Sequence, residues 1–244
     1  MAPVSALSIA IVEKRFPPQP GGPAREIFRD FHLHVAAGAF VALLGESGIG
    51  KTTLLNIVAG LDRAYRGEVR FDAKAPRLAY AFQNPRLLPW RSVLENVALP
   101  LPAGEEGRRR ARIMLGEVGL AELADAYPER LSLGQQRRVA LARAFAIEPD
   151  VLLMDEPFVS LDEAGAARLR ELMRRLLARR PATVLFVTHD RREAVALASR
   201  IVMLEGAPAR IARDLPLALT PVERTSPARI DEVRRRLGTE AEPG

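Results

Sequence analysis

Gly45-Glu46-Ser47-Gly48-Ile49-Gly50-Lys51-Thr52 decides the fold of this chain. The spacing is G-x-x-x-x-G-K-[ST], and it lies where that spacing has a physical meaning. Before it runs a continuous apolar stretch, Ala39 to Leu44, the pattern of a buried strand. After it, Thr52 to Ala59 has helical periodicity, with Gly60 placed as a C-terminal cap. Glycines let the backbone wrap so that its N–H groups converge on phosphate oxygens, and the helix start adds favourable dipole potential. Lys51 is placed to reach β- and γ-phosphates, and the Thr52 hydroxyl to hold Mg2+. A chance glycine-rich turn is the bland alternative, and correct flanks on both sides weigh against it.

Outward from this loop, Val151-Leu152-Leu153-Met154-Asp155-Glu156 is an apolar strand ending in two carboxylates. Ligands of parallel sheets gather at the carboxyl ends of strands, which predicts these acids beside the phosphate loop. Asp155 is the expected Mg2+ ligand, direct or through water, and Glu156 the group that polarises an attacking water. Alone, an Asp-Glu pair would by default cap a helix; its place after a strand and a phosphate loop favours the catalytic reading. His189 follows another apolar run, Val184 to Val187, and Thr188. A lone histidine at a strand end is usually a surface or capping group; with the other motifs present it becomes the γ-phosphate sensor.

The remaining pattern alternates strand and helix. Strands are expected at Leu7–Val12, Phe31–Val35, Glu68–Phe71, Leu78–Phe82, Thr183–Thr188 and Ile201–Leu204, and helices at about 163–178 and 191–197. The stretch from Pro85 to about Ile147 is more helical and sits as an insertion between two halves of a largely parallel sheet. The segment Pro17-Pro18-Gln19-Pro20-Gly21-Gly22-Pro23 reads as a loop, and from Pro221 the chain is a polar tail with room for one helix. His32 and His34 share a strand face; without a third ligand they read as a solvent-facing edge rather than a metal pair.

Composition sets outer bounds. The chain has 244 residues, 48% hydrophobic and 27% charged, as in ordinary globular proteins. No apolar run reaches the length of about 18 residues that marks a membrane span. The start lacks signal-peptide character, and the absence of cysteine removes disulfides, thiolate ligands and thiol catalysis. A cytosolic protein is expected. The net charge of +6 comes mostly from arginine clusters such as Arg108-Arg109-Arg110 and Arg234-Arg235-Arg236. No aromatic residues interleave with them to stack bases, and they read as solvated helix faces; charge alone does not decide the partner.

Leu131-Ser132-Leu133-Gly134-Gln135 resembles the signature motif of ABC transporter ATPases, usually Leu-Ser-Gly-Gly-Gln. Other family motifs follow in order over about residues 4 to 206. Phe16 resembles the aromatic residue that stacks on adenine, where tyrosine is commoner. Gln83, in Ala81-Phe82-Gln83-Asn84-Pro85, resembles the Q-loop glutamine that meets the metal and attacking water; Ser160-Leu161-Asp162 resembles the D-loop, and Thr188-His189-Asp190 the H-loop.

The resemblance implies an α/β fold: a P-loop, RecA-like ABC ATPase core with an antiparallel β portion and an inserted helical subdomain. Residues 1–84 and 148–210 would form the core with its β portion, 85–147 the helical subdomain and 211–244 a C-terminal tail. It implies ATP and Mg2+ as cofactors. Phe16, Gly45 through Thr53, Ser132, Gly134, Gln135 and Asp162 would contact nucleotide; Thr52, Gln83 and Asp155 would hold the metal; Glu156, His189 and Gln83 would act in hydrolysis. Two copies would sandwich ATP, each signature facing the γ-phosphate held by the other copy's P-loop.

Partners would be integral-membrane permease subunits and, indirectly, a solute-binding protein, with no nucleic acid expected, placing the chain in the cytoplasm on the inner face of the cell membrane. Pro85-Arg86-Leu87-Leu88-Pro89-Trp90 resembles the ATPases of nitrate, taurine and aliphatic-sulfonate importers. The chain also reads as ending early, like those and unlike sugar-importer ATPases. The rivals are a non-transport ABC ATPase acting on nucleic acid or ribosomes, and a sensory or assembly module that binds ATP without turnover. Ser132 and Gln135 have capping-box spacing, which predicts a helix opening there and running to about Ile147. Leu133 stands where the family has glycine; its side chain must turn from the nucleotide or loosen the sandwich.

Overall fold

The computed structural model of this chain describes residues 4–17 and 24–239, so Pro18 to Pro23 of the proline-rich loop and the last residues of the tail lie outside the described residues. In chain order the elements are β1 (Leu7–Phe16), β2 (Arg25–Val35), β3 (Phe40–Leu44), α1 (Lys51–Val58), β4 (Arg66–Phe71), β5 (Leu78–Ala81), α2 (Val93–Ala98) and α3 (Glu105–Glu117). Then come α4 (Leu133–Ala146), β6 (Val151–Asp155), α5 (Glu163–Arg179), β7 (Thr183–Val187), α6 (Arg191–Leu197), β8 (Arg200–Glu205), β9 (Arg210–Pro216) and α7 (Pro227–Thr239). They fall into two compact units, one of residues 6–72 with 184–239, the other of 73–183 with 4–5.

In the first unit, β1 lies between β2 and β4 in an antiparallel sheet. Alternation does the work here: Leu7, Ile9 and Ile11 of β1 and Phe31, Leu33 and Val35 of β2 are buried on one face. His32 and His34 fall on the exposed face, where His34 Nδ1 lies 3.0 Å from Ser8 Oγ. β1 runs on to Phe16, past the expected end at Val12, because a register shift at Lys14/Arg15 lets it follow β2.

A second sheet of this unit sets β3 between β7 and β8, all parallel. β3, β7 and β8 are apolar because both faces are covered. β9 adds to β8 in antiparallel fashion. β9 has no strand signal in the sequence: its residues alternate half-buried and exposed, and Arg213 and Asp214 interrupt the apolar pattern. Beyond β9, Arg224 donates to the carbonyls of Val195 (3.2 Å), Ala198 (2.5 Å), Leu217 (3.2 Å) and Leu219 (3.2 Å), which fastens the C-terminal segment beside α6.

In the other unit, β5 and β6 pair in parallel and carry α2 to α5. The expected helical insertion resolves into α2, α3, two 3-10 turns and α4. The Pro85–Ser92 approach is irregular, held by fully buried Asn96: its Oδ1 accepts from Leu88 N at 2.8 Å, and its amide donates to the carbonyls of Leu88, Arg91 and Ser92 at 3.0–3.1 Å. α5 is amphipathic, burying Ala166, Leu169, Leu172, Met173 and Leu176 at helical spacing. Arg180 forks onto Glu117 at 2.6 and 2.8 Å, tying the end of α5 to the end of α3. The hydrogen-bonded guanidinium holds Glu117 below the usual carboxylate range.

Candidate functional site

The phosphate loop leaves β3 at Leu44 and enters α1 at Lys51. Gly48 (φ 79°) and Gly50 (φ 116°) both take left-handed backbone that side chains disfavour. At Gly50 space decides as well: a Cβ would sit 2.5 Å from Ile27 Cγ2 and 3.1 Å from Phe28 Cζ of β2. At Gly45 a Cβ would meet the Leu204 carbonyl oxygen at 2.9 Å. Lys51 is 6% exposed, and its Nζ donates to the Gly45 and Glu46 carbonyls at 2.7 and 2.8 Å, so the ammonium is spanned by the loop. The start of α1 has no side-chain cap, which leaves its first-turn N–H groups suited to an anion.

The loop lines a cleft of about 680 Å³ together with Arg25, His189 and Arg191. Thr188 and Asp190 are engaged locally: Thr188 Oγ1 donates to Glu193 at 2.5 Å, and Asp190 caps α6 by accepting from Arg192 N at 2.7 Å. His189, between them, is exposed and lines the cleft. The P-loop and the H-loop histidine are thus brought together. Arg25, which the sequence reading did not single out, donates to the Gly48 carbonyl at 2.5 Å. Phe16 is not among the cleft-lining residues, but it is the backbone partner of Arg25 across β1 and β2.

In the other unit, register puts Ala81 beside Met154, so the chain reaches Gln83 and Asp155–Glu156 at the same end of two adjacent parallel strands. Asp155 is 5% exposed at the end of β6. Burial pushes the Tyr80 phenol well above its ordinary value, and the negative charge of Asp155 adds to this. Glu156 takes φ 43°, a left-handed position that costs a non-glycine residue about 1–3 kcal/mol. Strand periodicity gave no hint of it. The loop after exposed Gln83 is gripped by Arg143 of α4, which donates to the Pro85 and Arg86 carbonyls at 2.7 and 3.0 Å. Burial lowers the pKa of that guanidinium. Tyr80 and Phe82 stack with centroids 3.9 Å apart, and Arg86 covers the Phe82 ring at 3.9 Å.

Ser132 opens α4 with the reciprocal bonds of a capping box, Gln135 N to Ser132 Oγ at 3.3 Å and Ser132 N to Gln135 Oε1 at 2.8 Å. One oxygen of Gln135 is therefore committed to the helix start. Leu133 is 39% exposed. Ser132, Leu133 and Gly134 line a groove of about 1000 Å³ with Ser160, Leu161 and Asp162, so signature and D-loop residues share one surface. Asp162 caps α5 by accepting from Gly165 N at 3.0 Å, and a Cβ at Gly165 would lie 2.5 Å from that same carboxylate oxygen.

The framed Lys51 ammonium and the uncapped start of α1 suit the phosphates of a nucleotide. Among the described residues no three His, Cys, Asp or Glu side chains gather to hold a metal by themselves. Mg2+ is a cation that takes hard oxygens from one or two protein groups and completes its shell with phosphates and water.

The profile of the ABC transporter family matches residues 28–159. An aliphatic sulfonates import ATP-binding protein, SsuB, of Cupriavidus pinatubonensis is 43% identical over 90% of this chain and 78% of its own. A second protein of that name, SsuB 2 of Paracoccus denitrificans, is 47% identical over 80% of this chain and 77% of its own. Among solved structures, the dimeric post-hydrolysis ATP-binding cassette MJ0796 bound to ADP and Pi is 32% identical, with a TM-score of 0.75 over 88% of this chain and all of that one. With that profile covering more than half of its length, the chain belongs to the ABC transporter family.

Proposed function

We propose that this chain is the ATP-binding and ATP-hydrolysing subunit of an importer for aliphatic sulfonates or similar small solutes such as taurine or nitrate. The observation that carries the reading is the phosphate loop: an almost fully buried Lys51 ammonium framed by loop carbonyls, glycines that admit no side chain, and an uncapped helix start. The names of the relatives supply the solute class.

Gly45 through Thr53 would cradle the phosphates, and Phe16 would stack on adenine. Thr52, Gln83 and Asp155 would hold Mg2+, which when bound neutralises charge on the phosphates. Glu156 would accept the proton of the attacking water and His189 would donate to the γ-phosphate. Ser132, Gly134, Gln135 and Asp162 would face nucleotide held by a second copy. In this division residues 1–84 and 148–210 are the nucleotide-binding core, 85–147 the helical subdomain that meets the permease and 211–244 the tail. Among the described residues no helix is long and apolar enough to cross a membrane. In this reading the permease would supply the path, and the chain would work on the cytoplasmic face. A solute-binding protein delivers cargo from the other side.

The test is ATP turnover by the purified chain, alone, with its permease in vesicles, and with DNA or RNA. Stimulation by the permease, abolished in Lys51→Ala, is expected. Stimulation by nucleic acid that persists at about 150 mM salt would instead support an ATPase acting on nucleic acid.

A further inference from the structure

Among the large, fully buried side chains of the described residues is a lysine. Lys14 is 2% exposed, and it lies outside every motif read from the sequence. A buried ammonium is costly unless each of its donors is matched. Two partners are polar: the Asp62 carboxylate, at 2.7 and 2.9 Å from its two oxygens, and the Ala64 carbonyl at 3.0 Å. The third is the face of Phe16, whose ring centroid lies 4.4 Å from Nζ. The ring is 40% exposed, so a cation occupies one face while the side chain still reaches solvent.

The anchor of this cation leads back to the phosphate loop. Asp62 follows α1 closely: its N–H donates to the Asn56 carbonyl at 3.1 Å, and its carboxylate accepts from Ala64 N at 3.0 Å. The turn that follows the helix begun in the phosphate loop therefore carries the residue that fixes Lys14. On the strand side, Phe16 pairs with Arg25, which bonds the Gly48 carbonyl at the tip of the loop. The aromatic ring is tied to the phosphate cradle by two routes. A nucleotide held at both ends needs the separation of base platform and cradle to be fixed.

We propose that Lys14, anchored by Asp62, is a positioning residue for the nucleotide base: its ammonium fixes and polarises the Phe16 ring, whose outward face stacks on the base. This rests on the reading of Phe16 as the base platform. A cation on one face draws electron density from the ring, and the other face then stacks better on an electron-rich purine.

Equilibrium binding of Mg-ATP and of Mg-tripolyphosphate, which has no base, separates positioning from general loss of structure. Lys14→Met strands the Asp62 carboxylate and threatens the fold, so Lys14→Met/Asp62→Asn is made beside it to remove both charges. Either variant that melts like the wild type is expected to weaken ATP about threefold or more and to leave tripolyphosphate unchanged. The loss should vanish in a Phe16→Ala background, because Lys14 acts through the ring. Equal weakening of both ligands, or no weakening of ATP, would overturn the proposal. Phe16→Ala binding ATP as tightly as wild type would overturn it too, by showing that Phe16 is no platform. Abolished binding of both ligands in Lys51→Ala would still uphold the phosphate loop, so the two failures are told apart.

Discussion

Alanine at Gly50 places a methyl group 2.5 Å from Ile27 Cγ2 and 3.1 Å from Phe28 Cζ, on a backbone at φ 116°. Two costs add. A side chain held in that region of backbone space loses about 1–3 kcal/mol, and forcing an extra carbon against packed neighbours costs about 1–3 kcal/mol. Phe28 is fully buried and Ile27 nearly so, which limits how far either can give. The expected destabilisation is about 3 kcal/mol, a melting temperature lower by roughly 6–12 °C for a chain of this size. If the loop instead moves to relieve the contact, the cradle opens and Mg-ATP binding falls. The assay is therefore paired, thermal melting beside ATP binding, and Gly50→Ala must lose on at least one. Gly134→Ala is the control, since a Cβ there would sit at 3.8 Å from Leu161 Cδ2, an ordinary contact in the first turn of a helix. It should melt no lower than wild type. A Gly50→Ala protein within about 2 °C of wild type, with ATP binding intact, would refute the steric argument.

Glu156→Gln keeps the shape but cannot accept a proton, so turnover should fall by about 10²–10⁴ while ATP still binds and a closed dimer accumulates on size-exclusion chromatography. Turnover within a fewfold of wild type would mean that another acid is the base. Leu133→Gly should leave ATP-dependent dimer affinity unchanged or slightly lower through added freedom at the start of α4, measured with a non-hydrolysable analogue; a clear gain would show that the leucine crowds the interface. At Asp150, burial alone would raise the carboxyl pKa, but hydrogen bonds from the Arg77 side chain and backbone and the charge of Arg77 outweigh it and hold the pKa below its ordinary value. That stabilisation is complete above the unfolded value and fades as pH falls through the lower folded one. Asp150→Asn should lose about 1–2 kcal/mol at neutral pH and flatten the acid limb of a stability-versus-pH curve; an unchanged curve would refute this.

Much of this fold is encoded in short spacings. The phosphate loop between strand and helix, the apolar strand carrying Asp155 and Glu156 and the capping box of Ser132 and Gln135 all join residues a few positions apart, and each folds as its local pattern dictates. The boundaries of α6 and the Gly60 cap at φ 69° were legible for the same reason. Other features depend on residues far apart in the chain. Gly50 is obligatory because β2 packs against it, and Lys14 is buried because the turn after α1 brings Asp62 to it. Asn96 orders the loop before α2 through carbonyls that no periodicity announces. β9 is a strand because β8 offers it an edge, although Arg210, Arg213 and Asp214 interrupt its apolar pattern. The left-handed turn at Glu156 likewise has no local signature, since glutamate gains nothing from that conformation by itself and the surrounding packing must impose it.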